Sequence, residues 1–307
     1  MFDSNFPKDL PSFEKRFGNE EECRKYLFKL KWPNGFICPS CGCIKFWWTR
    51  KHKLHCSACG HQSSVTVGTV MENSKKPLTL WFKAIFLVSF PKSGISAKNL
   101  QRLLGLGSYQ TAWTWLHKIR RSMVKTDRNQ LGNSEHSVEV DEAYVGGKKS
   151  GKRGRGASGK IPIVVAVETK EVKGIGRIRI QVIKDCSSSQ LLPFLQKNII
   201  NGSTVRTDDW SSYTGVDDLG FNHSVVKKVV EILPSVHLVI SLFKRWLLGV
   251  HQGYVSQKHL QYYADEFVFR FNRRTSKERA LVFHRLLEQV VQTKTQTYDK
   301  IVCKKAA

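Results

Sequence analysis

The tightest constraint on this chain is a pair of cysteine knuckles, Cys38-x-x-Cys41 and Cys56-x-x-Cys59, inside "CPSCGCIKFWWTRKHKLHCSACGHQSSVTVGTV". Four thiolates in two C-x-x-C steps suit the tetrahedral geometry of zinc, which requires the knuckles to fold against each other. A segment this short has too small a core to fold alone, so the metal closes it. The intervening residues read as a strand-rich hairpin, which predicts a zinc ribbon over 35–72 with Cys38, Cys41, Cys56 and Cys59 as ligands. The chain has 8 cysteines, and in a reducing compartment such residues serve as metal ligands in preference to disulfides. Cys43 stands outside the knuckles. Cys23, Cys186 and Cys303 have no partner spacing and read as small apolar residues.

Residues 1–34 read as a helical lead-in, stopped by the breaker Trp32-Pro33-Asn34-Gly35. From Pro77 the apolar period becomes helical. In "ISAKNLQRLLGLGSYQTAWTWLHKIRRSM", Leu100, Leu103 and Leu104, then Ala112, Trp115, Leu116 and Ile119, recur at three- and four-residue steps around Gly105 and Gly107. A short helix, a glycine turn and a longer helix form a helix-turn-helix pattern over 73–126. Tyr109, Gln110 and Thr111 begin the second helix, where such a helix meets base edges. Lys118, Arg120 and Arg121 end it, suited to phosphates. A helical linker packing on its neighbours is the competing reading.

Charge names the partner. The 307 residues hold 50 Lys+Arg against 25 Asp+Glu, a net charge of +25, which calls for a polyanion such as double-stranded DNA. No apolar stretch is long enough to span a bilayer, and the N-terminus lacks a signal core, so a cytoplasmic protein is predicted.

Against this charge, "VEVDEAYVGG" places Asp141 and Glu142 in an apolar strand, followed at once by the acid-free "KKSGKRGRGASGK". From 134 to 274 the pattern runs three strands, a helix opened by serines, a strand, the turn "WSSY", a strand and a helix. That order matches an α/β, ribonuclease H-like mixed sheet with flanking helices. In this topology Asp141, on the first strand, and Asp208, ending the fourth, sit on neighbouring strands and converge. Two close anions need a cation between them. Hard oxygen ligands suit Mg2+ or Mn2+, which support phosphodiester chemistry. Glu142 points to the opposite face, and Asp209 caps the following turn. Lys148, Lys149, Lys152, Arg153 and Arg155 lie where they can grip a DNA backbone beside the metal. Residues 275–307 read as a basic C-terminal tail.

The ribbon, "VEVDEAYVGGKK", "TDDWSSY" and "VHLVISLFKRWLLGVHQGYVSQKHLQYYADEFVFRFNRR" together resemble bacterial insertion-sequence transposases of family fifteen ninety-five, over Cys38 to Arg274. The resemblance implies a DDE-type domain that binds the terminal inverted repeats of its element, cleaves DNA with metal and transfers the strand to a target. It also implies that Asp141 and Asp208 are the first two catalytic acids, that the protein acts at the bacterial nucleoid, and that it assembles as a homo-oligomer on DNA. One position departs from the family pattern: where a glutamate usually opens the last helix of the core, this chain has His237, with Lys244 seven residues on. The family spacing implies His237 as third metal ligand, a DDH variant, and Lys244 as a DNA contact beside the cleaved phosphate. A DNA-binding regulator with an inactive core and a metal-dependent nuclease without strand transfer are the competing functions.

Overall fold

Asp9 opens the first helix, α1 (Leu10–Phe17), by accepting the Ser12 N–H at 2.8 Å, and Asn19 opens α2 (Glu20–Lys31) through the Glu22 N–H. The computed structural model describes residues 7–124, 128–133, 135–146, 159–170, 174–227, 233–253 and 255–302. The chain divides into two units, Met1–Lys125 with Ser276–Ala307, and Thr126–Thr275.

In the first unit α2 leads into a three-stranded antiparallel sheet, β1 (Phe46–Trp48), β2 (Leu54–Cys56) and β3 (Gln62–Ser63). Strand side chains alternate, so Phe46, Trp48 and Leu54 share one face. Phe46 and Trp48 pack on Phe28 of α2 at ring separations of 5.5 and 5.8 Å, and Leu54 is fully buried. Then follow α3 (Leu78–Ser89), α4 (Ala97–Leu104) and α5 (Tyr109–Arg121). Gly105 ends α4 in the left-handed region at φ 60°, where glycine has no side chain to strain, and the Ser108 side chain caps α5. Trp115 of α5 stacks on Trp81 of α3 at 3.8 Å. The short helix, glycine turn and longer helix expected from sequence are all present.

The second unit is built on a five-stranded sheet of β4 (Val138–Val145), β5 (Ile161–Thr169), β6 (Ile175–Val182), β7 (Thr204–Thr207) and β8 (Asn222–Val225), in the order β6-β5-β4-β7-β8. β4, β5 and β6 pair antiparallel, while β7 and β8 run parallel to β4, so the sheet is mixed. The apolar run of β5 is buried on both faces because helices cover both. Phe194 and Leu195 of α6 (Ser188–Asn198) pack with Val138, Val140 and Val205 on one face. Val239 and Phe243 of α7 (Pro234–His251), with Leu260 and Ala264 of α8 (Gln257–Phe271), pack with Ala143, Ile163 and Val165 on the other. This is the ribonuclease H-like mixed sheet with flanking helices that the element order predicts.

The chain then returns to the first unit through α9 (Arg279–Gln292) and α10 (Tyr298–Val302). The sequence predicts a basic C-terminal tail here; instead the stretch forms helices that belong to the first unit. Phe283 of α9 is fully buried and its ring lies 5.6 to 6.4 Å from those of Phe13, Phe17, Phe82 and Phe86. Arg279 donates to the Ser89 and Phe90 carbonyls at the end of α3, where a cation satisfies acceptors left open by the helix.

Candidate functional site

The two knuckles have the same local fold. Gly42 N–H donates to the Cys38 carbonyl and Gly60 N–H to the Cys56 carbonyl, at 2.9 and 3.1 Å. Both glycines take positive φ, 75° and 71°, so each C-x-x-C closes with a glycine that supplies a left-handed turn. The repeated C-x-x-C-G was legible in the sequence. These turns bring the Cys38 and Cys59 sulfurs to 3.7 Å and those of Cys41 and Cys56 to 3.6 Å. A tetrahedral ion with metal–sulfur bonds near 2.3 Å spaces its sulfurs by about 3.8 Å, so the four thiols fit zinc. Among the described residues they form the one set of three or more Cys, His, Asp or Glu side chains whose ligand atoms all lie within 4.8 Å of one another. The Cys43 sulfur faces the Lys45 carbonyl and the Ser57 hydroxyl instead.

The second site lies at the centre of the mixed sheet. β4 and β7 are adjacent and parallel, with Val138 opposite Val205 and Glu139 opposite Arg206. Continued two residues further, this register sets Asp141 opposite Asp208. Oδ1 of Asp208 is buried and accepts no hydrogen bond among the described residues, while Asp209 is exposed. A buried carboxylate oxygen left in this way is suited to a cation.

On the other flank of β4, α7 brings His237 Nε2 to 3.2 Å from Asp141 Oδ2, and Asp141 Oδ1 accepts the Glu142 N–H at 2.8 Å. Neighbouring ligands of an octahedral ion at 2.0–2.1 Å stand about 3 Å apart, so the Asp141–His237 pair also fits a hard cation. Asp141, Asp208 and His237 as a trio do not reach the mutual spacing of the cysteines.

An open cleft of about 380 Å³ lies over this pair, lined in part by Asp141, Lys160, His237, Ser241 and Lys244. Partial burial pulls the proton affinity of Lys244 below the usual lysine range; the positive charge of Lys160 adds to this and Asp141 opposes it. Lys244 lies two turns beyond His237 on the same helix face, as the seven-residue spacing predicts.

Glu142 lies across β4 from Asp141. Burial pushes the Tyr213 phenol well above its usual range, and the charges of Glu142, then Asp141 and Asp208, push it further. Tyr213, in the "WSSY" turn, thus stands within the field of all three acids.

Glu139 was not picked out from the sequence. It is 1% exposed, two residues before Asp141 and on the same face of β4. Its Oε2 accepts the Val236 N–H at 2.9 Å, and its Oε1 lies 3.8 Å from the Arg206 guanidinium. Glu139 therefore ties the first turn of α7 to β4 immediately before His237. The only sequence signal was its alternation with Asp141 in "VEVDE".

Tyr109 is 52% exposed and Gln110 is exposed at the start of α5, whereas the Thr111 hydroxyl sits 2.9 Å from that of the capping Ser108. Arg120, read as a phosphate contact, is 1% exposed and is thus withheld from any DNA surface. Lys148, Lys149, Lys152, Arg153 and Arg155 lie outside the described residues, as does Cys303. Among the described residues no helix is long and apolar enough to cross a membrane.

Comparison with known proteins gives the same two parts. A transposase zinc-ribbon domain matches residues 18–62, and an ISXO2-like transposase domain matches residues 133–272. The first match begins upstream of the knuckles and takes in α2, whose Phe28 packs on the ribbon. A Halobacterium salinarum protein, described as an uncharacterized protein in transposable element ISH50, is 28% identical over 283 residues, covering 83% of this chain and 92% of its own length.

A DDE domain on a ribonuclease H-like sheet, preceded by a zinc ribbon, defines a nuclease- or transferase-type enzyme that binds DNA. The chain belongs to the IS1595 family of insertion-sequence transposases.

Proposed function

We propose that this transposase binds the terminal inverted repeats of its own element, cleaves a DNA strand there with water as nucleophile, and joins the freed 3′ hydroxyl to target DNA. One observation carries the reading: Asp141 lies on β4, Asp208 directly follows the adjacent parallel strand β7, and His237 stands 3.2 Å from Asp141. Asp141, Asp208 and His237 would hold Mg2+ or Mn2+. Such an ion supplies activation of the attacking oxygen and stabilisation of the leaving one. His237 serves as a ligand in its neutral form, which leaves the site one negative charge short of a DDE triad. Lys244 and Lys160 bring positive charge to the cleft, where a phosphate approaching the acids would otherwise be repelled. Glu139 holds the first turn of α7 so that His237 faces Asp141.

In the same reading, zinc at Cys38, Cys41, Cys56 and Cys59 is structural. Tyr109, Gln110 and Thr111 read base edges, and Lys148, Lys149, Lys152, Arg153 and Arg155 hold phosphates. The ribbon, the helix-turn-helix region and residues 134–274 divide the work into folding, reading and chemistry. Two or more copies act on paired ends at the bacterial nucleoid.

The test is a joining reaction. Labelled duplexes ending in the element's repeats are incubated with purified protein, Mg2+ or Mn2+ and a supercoiled plasmid. Label covalently attached to plasmid supports the reading. Cleaved duplex without joining makes the protein a nuclease, and bound but intact duplex makes it a regulator.

A further inference from the structure

The zinc ribbon has two unlike faces. Phe46, Leu54, Cys56 and Ser63 point inward, and Leu54, Cys56 and Ser63 are buried. Trp47, His55 and Gln62 form a row across all three strands on the other face, since Trp47 pairs with His55 and His55 with Gln62. By the same alternation Lys45 and Lys53 flank this row.

Trp47 is 51% exposed. Its indole lies flat on the His55 imidazole, with ring centroids 4.2 Å apart and planes 16° from parallel, so its orientation is set and one ring face is covered. The Gln62 amide sits 3.4 Å from the His55 ring and props the stack from the far strand. Residues 36–70 contain no Asp or Glu, but they do contain Lys45, Arg50, Lys51 and Lys53. An aromatic ring held open on an acid-free, basic sheet face matches one polyanion in particular. In duplex DNA the base faces are buried in the stack, whereas in a single strand each base offers a π-face beside a phosphate.

We infer that the outer face of the ribbon is a single-stranded DNA platform, with Trp47 stacking on an unpaired base and Lys45 and Lys53 holding the adjoining phosphates. This goes beyond the proposed cleavage and joining, and its test does not depend on them.

The probe is a short fluorescein-labelled oligothymidylate, with a blunt duplex of equal length as the comparison. Full-length wild type, Trp47→Ala, Trp47→Phe and Lys45→Ala/Lys53→Ala are each assayed for bound zinc and for affinity. Trp47→Ala is expected to weaken single-strand binding roughly tenfold or more, with duplex affinity and zinc content unchanged. Trp47→Phe should recover most of that loss, and the double lysine variant should flatten the salt dependence of single-strand binding. Unchanged single-strand affinity in zinc-loaded Trp47→Ala overturns the inference, and so does an equal loss for both DNA forms. Should Trp47→Ala lose its zinc, the lysine variant decides: an unaltered salt slope overturns the platform. The joining reaction of wild type, measured separately, reports on the transposase reading alone.

Discussion

Glu139 and Glu168 show how single buried carboxylates organise the catalytic unit. Glu139 is the acceptor for the Val236 N–H, at 1% exposure. Glu139→Ala leaves that donor unpaired and is expected to cost about 1–3 kcal/mol of stability and to slow cleavage, because the turn that carries His237 loses its anchor. Denaturant titration and cleavage rates check both effects; wild-type values for both would remove Glu139 from the account. Glu168 of β5 is 9% exposed and bonds to Arg177 at 2.7 Å and to the Gly132 N–H at 3.1 Å. Burial alone would raise its pKa, but these partners outweigh burial and hold it below the ordinary 4.5. A carboxyl depressed in the folded state adds stability above its unfolded pKa and loses it as pH falls through the folded value. The stability advantage of wild type over Glu168→Gln should therefore be full at pH 7 and shrink below about pH 4.5; a gap that does not vary with pH would contradict this. Asp141, Asp208 and His237 could be picked out because each carries charge or a ligating nitrogen in a recognisable string. Glu139 hid beside Asp141, since a sequence does not say which helix end covers a strand.

At the scale of elements, α9 holds the first unit together from the far end of the chain. Phe283→Ala removes the ring at the centre of the Phe13, Phe17, Phe82 and Phe86 cluster. The expected cost is about 3–5 kcal/mol, read as a lower thermal transition of the first unit; a loss below about 1 kcal/mol would mean that α9 is dispensable. The helix was legible in principle. Ala280, Phe283, Leu287, Val290 and Val291 recur at helical steps and are buried, but Lys277, Arg279, Arg285, Lys294 and Lys300 interrupt and flank them and give the stretch the composition of a solvated tail. The succession of strands and helices along the second unit was readable because its apolar runs and turns are short and distinct. Arg120 misled for the opposite reason: charge at a helix end usually faces solvent, and only tertiary packing buries it.

At the scale of the whole molecule, the +25 net charge sets how the protein meets DNA. Each phosphate neutralised contributes roughly −0.9 to the slope of log affinity against log salt. Replacing Lys148, Lys149, Lys152, Arg153 and Arg155 with Ala should flatten that slope, and lower affinity at an unaltered slope would show that these side chains make no phosphate contact. The central claim is that β4, β7 and α7 together make one metal-dependent cleavage site. It is tested most directly by binding and cleavage of one labelled terminal-repeat duplex, in Mg2+ or Mn2+, by wild type, Asp141→Asn, Asp208→Asn and His237→Ala. The account predicts near wild-type binding by all three variants, with cleavage lost in each. Cleavage at close to the wild-type rate by any one of them would contradict it and remove that residue from the site.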